Sequence, residues 1–387
     1  MKLNANIALL IMLAITEKII CDNLYQILKS RSNLLKSIAL IGSSKKTCST
    51  TNFVFISEYA YGRSGNNLIE FTHGLWLSNQ LNRTLAPPPW MKPILEPFNT
   101  STLKSLFCYE FDLDLKKPGL NVLEVTSENA FFFYRVFYDP IETPHISKEL
   151  PTLNSTILDG TLLKDFSRHF IRVYSALWSS PSDLIFESGQ YIIQTHLNNS
   201  VSYNSVHKRS LEGGCSKVMA TVTEISDYNS LEIPMYLPEW RGNLFLHHPI
   251  CEMTYSFVNE TFHMHNRSQN NIFIAFDGKG SIDEFKSLNT TILNAANHQN
   301  IIDKFHKETK FLEMFLCIHS EFFIMNPRST FSFEVFVIRS IFSLTSVPIL
   351  KNHDFYVKSA KTISLNNPRW VTFLSIQNSV NELLKLI

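Results

Sequence analysis

The stretch Phe53-Val54-Phe55-Ile56, running on through Tyr61-Gly62-Arg63-Ser64-Gly65-Asn66-Asn67, decides the fold. Its first four residues form an unbroken aromatic and β-branched run, the pattern of a strand buried on both faces. Glycines at 62 and 65 then punctuate a turn. Beyond it Leu68, Phe71, Thr72, Leu75, Leu77 and Leu81 fall near one side of a helix, with Gly74 allowing close approach of a neighbour. Asn82-Arg83-Thr84-Leu85 leads into a second strand, which Pro87-Pro88-Pro89-Trp90 closes. Strand, glycine-rich turn, helix, strand is the opening unit of a doubly wound α/β domain.

Working outward, the chain has 387 residues, enough for two domains. Hydrophobic residues make up 44% and charged residues 18%, with 30 Phe against 12 Gly, which provides apolar mass for two cores and excludes wholesale disorder. Thirty-five Lys+Arg balance 34 Asp+Glu for a net charge of +1. That leaves no basic excess for a phosphate backbone, so a nucleic-acid partner is not expected.

Met1-Lys2 precedes a short apolar run from Ile7 to Ile15, too short to span hydrocarbon but suited to a signal-peptide core, so residues 1–21 read as a signal peptide. A buried N-terminal helix is the other reading. No later segment is long and uncharged enough to span a membrane. The six cysteines at 21, 48, 108, 215, 251 and 317 form no Cys-x-x-Cys pair, which argues against structural zinc; in a secretory chain disulfides are permitted, with connectivity open. Sequons at Asn82, Asn99, Asn154, Asn198, Asn259, Asn266 and Asn289 agree with a lumenal address.

Leu24 to Ile41 reads as a Lys-bearing amphipathic segment. The Phe-rich middle includes Phe131-Phe132-Phe133-Tyr134, simplest as core, and Ser179-Ser180-Pro181-Ser182 marks a boundary. Tyr191-Ile192-Ile193-Gln194-Thr195-His196-Leu197 reads as a buried strand opening the second domain, and Asn271 to Phe276 as another, ending at Asp277-Gly278. Glu313 to Phe323 gives a further strand or a short helix pair, and Ser329 to Ile338 a helix.

Three places carry chemistry. The loop Gly62 to Asn67 presents backbone N–H groups and a positive helix end, which suits a diphosphate, with Arg63 adding a charge-assisted contact and Asn66 a hydrogen-bonding amide; a plain tight turn is the alternative. Ser329 and Thr330 at a helix N-terminus make either a phosphate cradle or an ordinary N-cap. Asp112-Leu113-Asp114 reads more simply as strand or loop than as a metal-diphosphate motif, and the histidines at 247, 248, 263 and 265 match no ligand spacing.

Tyr-Gly-Arg-Ser-Gly-Asn-Asn, continuing to Asn-Arg-Thr-Leu-Ala-Pro-Pro-Pro-Trp, resembles the GDP-fucose protein O-fucosyltransferases, most nearly the type that modifies EGF-like repeats. The resemblance implies a GT-B-like α/β fold, two Rossmann-like domains facing a nucleotide-sugar cleft. On this reading residues 45–180 form the N-terminal Rossmann-like domain, 181–345 the GDP-fucose-binding domain, and 346–387 a C-terminal extension packing back on the fold. It implies transfer of fucose from GDP-fucose to a Ser or Thr hydroxyl with inversion, without metal or other cofactor, by a monomer in the endoplasmic reticulum lumen. EGF-like-repeat proteins of the Notch type would be the acceptors. Arg63 and Asn66 would be catalytic, with Ser64 and Gly65 beside them at the donor. Ile274-Ala275-Phe276-Asp277 resembles the family strand whose aspartate lies at the guanine, and Ser329-Thr330-Phe331 the segment that holds the diphosphate.

One element departs. The family's second domain opens on a strand ending His-Leu-Arg, whose arginine clamps the β-phosphate. In the register of the strand expected over 191–197, His196-Leu197 is followed by Asn198. A neutral amide does not neutralise developing diphosphate charge as a guanidinium does, and losing such a clamp costs a few kcal/mol, on the order of a hundred-fold in rate. His196 and Asn198 are accordingly expected at the donor, and a catalytically impaired protein that binds GDP-sugar or client modules is an alternative to the active transferase. A glycan-directed fucosyltransferase is a second alternative, since Gly-Arg-x-Gly-Asn is shared.

Overall fold

A computed structural model describes residues 23–42, 47–56, 64–125, 160–197, 202–208, 254–267, 271–276, 282–285, 290–292, 309–326, 329–348 and 368–387. The expected signal peptide and Phe131 to Tyr134 lie outside them.

The strand and the helix of the deciding stretch form as read, and Tyr61 to Arg63 between them lie outside the described residues. Strand β1 (Asn52–Ile56) is followed by helix α2 (Ser64–Gln80), preceded in the chain by helix α1 (residues 23–40), and then by β2 (Thr84–Ala86). The turn from α2 to β2 is short because Asn82 takes a left-handed conformation (φ 51°) and the Arg83 N–H reaches back to the Ser78 carbonyl at 2.8 Å, closing the helix. Gly74 is required there: a Cβ would stand 2.7 Å from Ile56 Cδ1 and 2.9 Å from Leu85 Cδ1, so the helix lies directly on its own two strands. After α3 (Ser101–Leu106), β3 (Asn121–Val125) joins β1 on its other side, giving a parallel sheet in the order β2-β1-β3. A disulfide between Cys48 and Cys108 ties the segment before β1 to the segment after α3. Of the two expected readings of Asp112 and Asp114, the loop is the one formed: Asp112 has φ 63° and pairs at the surface with Lys92 at 2.6 Å.

Helices α4 (Gly160–Trp178) and α5 (Asp183–His196) lead to a second sheet built from β4 (Asn204–Lys208), β5 (Ile272–Phe276), β6 (Thr290–Ile292), β7 (Phe322–Met325) and β8 (Thr345–Pro348). Between them run α6 (Tyr255–Met264), α7 (Thr309–His319) and α8 (Thr330–Ile341), and α9 (Pro368–Leu384) ends the chain, packed on α4 and α8. All pairings are parallel, in the order β6-β5-β4-β7-β8. In order of appearance that is 3-2-1-4-5, the Rossmann order. The fold is thus α/β with two Rossmann-like parallel sheets, the GT-B-like class expected.

One expectation is corrected. Residues 191–197 do not form a strand: Tyr191 to His196 are the last turns of α5, and β4 begins only at Asn204. Helix α5 starts at an N-cap, where the Ser182 hydroxyl accepts the Ile185 N–H at 3.4 Å, and it buries Ile185, Ser188, Gly189, Ile192 and Ile193 at helical spacing.

The second sheet is covered on both faces. Val206, Ile272, Ile274, Phe322 and Ile324 pack under α6 with Val258 and Phe262, while Phe273, Ala275, Phe323 and Met325 point to the opposite face and join the large apolar cluster shared with the first sheet. The amphipathic segment at 24–41 is α1, whose Leu24, Leu28, Leu35, Ile38 and Ala39 enter that same cluster. Arg31 of α1 donates to the His319 carbonyl at 2.9 Å, at the end of α7, and Ser32 to the Ser179 carbonyl.

Candidate active site at the switch point of the second sheet

In an open parallel sheet the ligand crevice forms outside the carboxyl ends of the strands, where the order reverses direction. Here the reversal falls between β4 and β7. The carboxyl end of β4 carries His207 and Lys208; that of β7 runs through Met325 into Asn326, and Ser329, three positions later in the sequence, is the N-cap residue of α8.

Alternation along β4 places His207 on the face that carries Phe273 and Phe323, toward α8. Its Nδ1 lies 2.8 Å from Ser332 Oγ in the first turn of that helix. The same oxygen accepts the Asn326 backbone N–H at 3.0 Å. The Ser332 hydroxyl thus bridges the imidazole and the Asn326 N–H; whether it donates to Nδ1 or accepts from it follows the tautomer of His207. The Phe331 ring lies against the imidazole at 4.2 Å between centroids. His207 is 4% exposed, and Asn326, Ser329 and Ser332 are fully buried. A buried imidazole at a strand end, held by its surroundings beside the positive end of a helix, suits an anionic or hydroxyl-bearing ligand.

Of the expected site residues, Phe331 lies at this position, half-buried on His207, and Ser329 is the buried N-cap of α8 with Thr330 as its first helical residue. Asp277 follows the last residue of β5, next to β4, and itself lies outside the described residues. On the first sheet, Ser64, Gly65 and Asn66 open α2 at the carboxyl side of β1, with Gly65 buried; Arg63 lies outside the described residues. Helices α2 and α8, which leave these two edges, pack on each other.

His196 is not brought to this place. It is exposed at the end of α5, with its carbonyl accepting from Thr291 Oγ1 at 3.1 Å on β6, at the side of the sheet where β4 has yet to begin. The register that paired His196 with Asn198 rested on a strand that is a helix. The strand that does open the second sheet ends His207-Lys208, and the next residue in the sequence is Arg209. Arg209, like Asn198, lies outside the described residues.

Two further groups on α2 were not singled out from the sequence. Asn67 Oδ1 and Glu70 Oε2, one helical turn apart, are buried with no hydrogen-bond partner among the described residues. Burial pushes the Glu70 carboxyl from 4.5 up to about 8. An acidic residue inside the apolar run Leu68 to Leu77 was the signal that could have marked it. On α8, burial likewise raises Glu334 well above the ordinary carboxylate range, with Tyr174 and Lys310 nearby opposing the shift.

No family model matches the chain, and no curated protein matches it. Among solved structures it is similar to POFUT1 bound to GDP, at 14% identity over 79% of this chain and 99% of that one, with a TM-score of 0.45. The apo form of POFUT1 gives 17% identity, the same coverage and 0.46. POFUT1 in complex with GDP-fucose gives 13% identity over 78% and 99%, with 0.42.

Proposed function

We propose that the chain is a GDP-fucose-dependent, inverting O-fucosyltransferase of the secretory pathway, acting in the endoplasmic reticulum lumen on a Ser or Thr hydroxyl of a folded extracellular module such as an EGF-like repeat. The observation that carries it is the unit at the switch point: His207, fixed by Ser332 and Phe331, stands where the strand order reverses, beside the N-terminus of α8. The glycine loop with Arg63 and Asn66, at the carboxyl side of the first sheet, supplies the second half of a nucleotide-sugar site.

In this reading Asp277 binds the guanine, and Ser329, Thr330 and the free N–H groups of α8 hold the diphosphate, with Phe331 against it. His207 donates from Nε2 to the donor. Arg63 and Arg209 bring guanidinium charge to the β-phosphate. The acceptor oxygen attacks the anomeric carbon from the face opposite the diphosphate as the carbon–oxygen bond to GDP breaks, and Asn66 orients the hydroxyl. GDP leaves carrying the electron pair of that bond, a β-phosphate oxygen takes up the proton of the acceptor hydroxyl, and the charge developing on GDP is the quantity the arginines stabilise. No metal or other cofactor enters this scheme.

The test is transfer of fucose from GDP-fucose to a folded EGF-like module, followed by mass shift. The expected result is one fucose added by the wild-type chain and none above background by Arg63→Ala. Absence of transfer by the wild-type chain, with GDP still bound in calorimetry, would favour the binding protein; a glycan accepted in place of the module would favour the glycan-directed enzyme.

A further inference from the structure

A second concavity lies at the other end of α2 from the glycine loop. The helix has 17 residues, so its ends are separated by about 24 Å at 1.5 Å per residue. The cavity there is about 390 Å³, walled by the ends of α1 and α2, by α4 and by the C-terminal α9. That volume is in the range that houses a small organic ligand.

Its charges are unevenly satisfied. Glu382 of α9 accepts Lys164 Nζ at 2.7 Å and Arg168 Nη2 at 2.8 Å. Arg168 Nε, by contrast, is buried with no acceptor among the described residues. Arg172, one turn along α4, donates its Nε to the Ala39 carbonyl at 3.2 Å and lies over the Phe107 ring at 5.8 Å, and no carboxylate pairs with it among the described residues. The charged side chains lining the cavity are thus Arg168 and Arg172 with Asp165 and Glu382; Arg168 pairs with Glu382 through Nη2, while Arg168 Nε and the Arg172 guanidinium have no carboxylate partner among the described residues. Burial lowers the Arg172 pKa, as desolvation of a cation without a counterion does. The rest of the wall includes apolar side chains, Leu383 and the 70% exposed Leu386 among them.

We propose that this cavity binds a small organic monocarboxylate, its carboxylate on Arg172 and Arg168 Nε and its apolar body against Leu383 and Leu386. A guanidinium with no carboxylate partner matches one carboxylate in charge, and its fork matches the carboxylate's geometry. The leucine wall distinguishes the ligand from inorganic phosphate, which has no apolar part to place there. The site is separate from the nucleotide-sugar crevice and does not depend on the reaction proposed for it.

Calorimetry on the full-length chain tests this with sodium octanoate, octanamide and inorganic phosphate. Octanoate is expected to bind with a dissociation constant below about 1 mM, and octanamide and phosphate at least about ten-fold more weakly, the size of one charge-assisted hydrogen bond. Arg172→Gln should weaken octanoate by about ten-fold. Because Arg172 also holds Ala39, Leu386→Trp is the second variant: it changes an exposed wall residue and should weaken octanoate by filling the cavity. Octanamide or phosphate binding as tightly as octanoate, an unchanged affinity in Leu386→Trp, or no octanoate binding at millimolar concentration would each overturn the proposal.

Discussion

His207 Nδ1 and Ser332 Oγ lie 2.8 Å apart, and through this contact the end of β4 is fixed to the first turn of α8. The Asn326 N–H on the same hydroxyl brings the end of β7 into the unit. The two strands that flank the reversal of strand order are therefore joined by one serine, which also selects the orientation of the His207 imidazole.

Ser332→Ala removes that selection without changing the shape of the site greatly. A lost neutral hydrogen bond is worth about 0.5–1.5 kcal/mol, so GDP affinity measured by calorimetry should fall by up to about ten-fold. Ser332→Thr, which keeps the hydroxyl, should retain it. The ring ¹⁵N shifts of His207 provide an independent readout: one tautomer held by the Ser332 hydroxyl in the wild type and a mixture of tautomers in Ser332→Ala. A mixture already present in the wild type would contradict the contact whatever the affinity for GDP.

The corrected register separates two arginine-dependent outcomes. If Arg209 is the phosphate clamp, Arg209→Gln should lower kcat by about a hundred-fold or more, since a few kcal/mol of transition-state stabilisation is lost. Asn198→Ala should leave kcat and the KM for GDP-fucose unchanged, apart from removing its sequon. The two transfer rates, measured side by side, decide; an inactive Asn198→Ala beside an active Arg209→Gln would restore the original register.

These two residues also show what the sequence could and could not disclose. Strand β1 and helix α2 were legible because a buried strand run changed to helical spacing across two glycines, and β5 and α8 were legible for similar reasons. Tyr191 to Leu197 was misread because a short β-branched run has no periodicity that distinguishes strand from buried helix; the N-cap at Ser182, further back, was the arbiter. Strand β4 was missed because Asn-Ser-Val-His-Lys looks polar, yet all five residues are buried. Ser205 meets the Ser320 hydroxyl at 2.6 Å and His207 meets Ser332, so the burial is tolerated by partners that are distant in sequence. Likewise, nothing local indicated that Cys48 would find Cys108.

Glu70 makes stability depend on pH. Its carboxyl titrates at about 8 in the folded chain against 4.5 when exposed, so the native state holds a proton that the unfolded state has released. The favourable contribution is fully present below about pH 4.5 and is lost as pH rises toward 8, at up to about 1.4 kcal/mol per pH unit for one group. Glu334 acts in the same direction, so the measurement must be a difference. Between pH 5 and 8, Tm should fall less steeply in Glu70→Gln than in the wild type, and the variant should be the more stable of the two at pH 8. Parallel curves would show that Glu70 is ionised in the folded protein at neutral pH.

Gly189 of α5 sets how closely α7 can approach. A Cβ built there would stand 2.4 Å from both Cδ1 and Cε1 of Phe315, a ring that is 1% exposed and held against Phe186 and His319. Two effects compete in Gly189→Ala. Helix propensity favours alanine by about 1 kcal/mol. Overpacking a filled core costs about 1–3 kcal/mol, and a rigid aromatic ring caught between neighbours places this site at the upper end. The net expectation is a loss of about 1–2 kcal/mol, seen as a Tm lower by a few degrees. Gly189→Val should be worse. If the clash is the cause, Phe315→Leu should cost less in the Gly189→Ala background than in the wild type, because the smaller side chain gives the new methyl room; strictly additive losses in the double-mutant cycle would place the origin elsewhere.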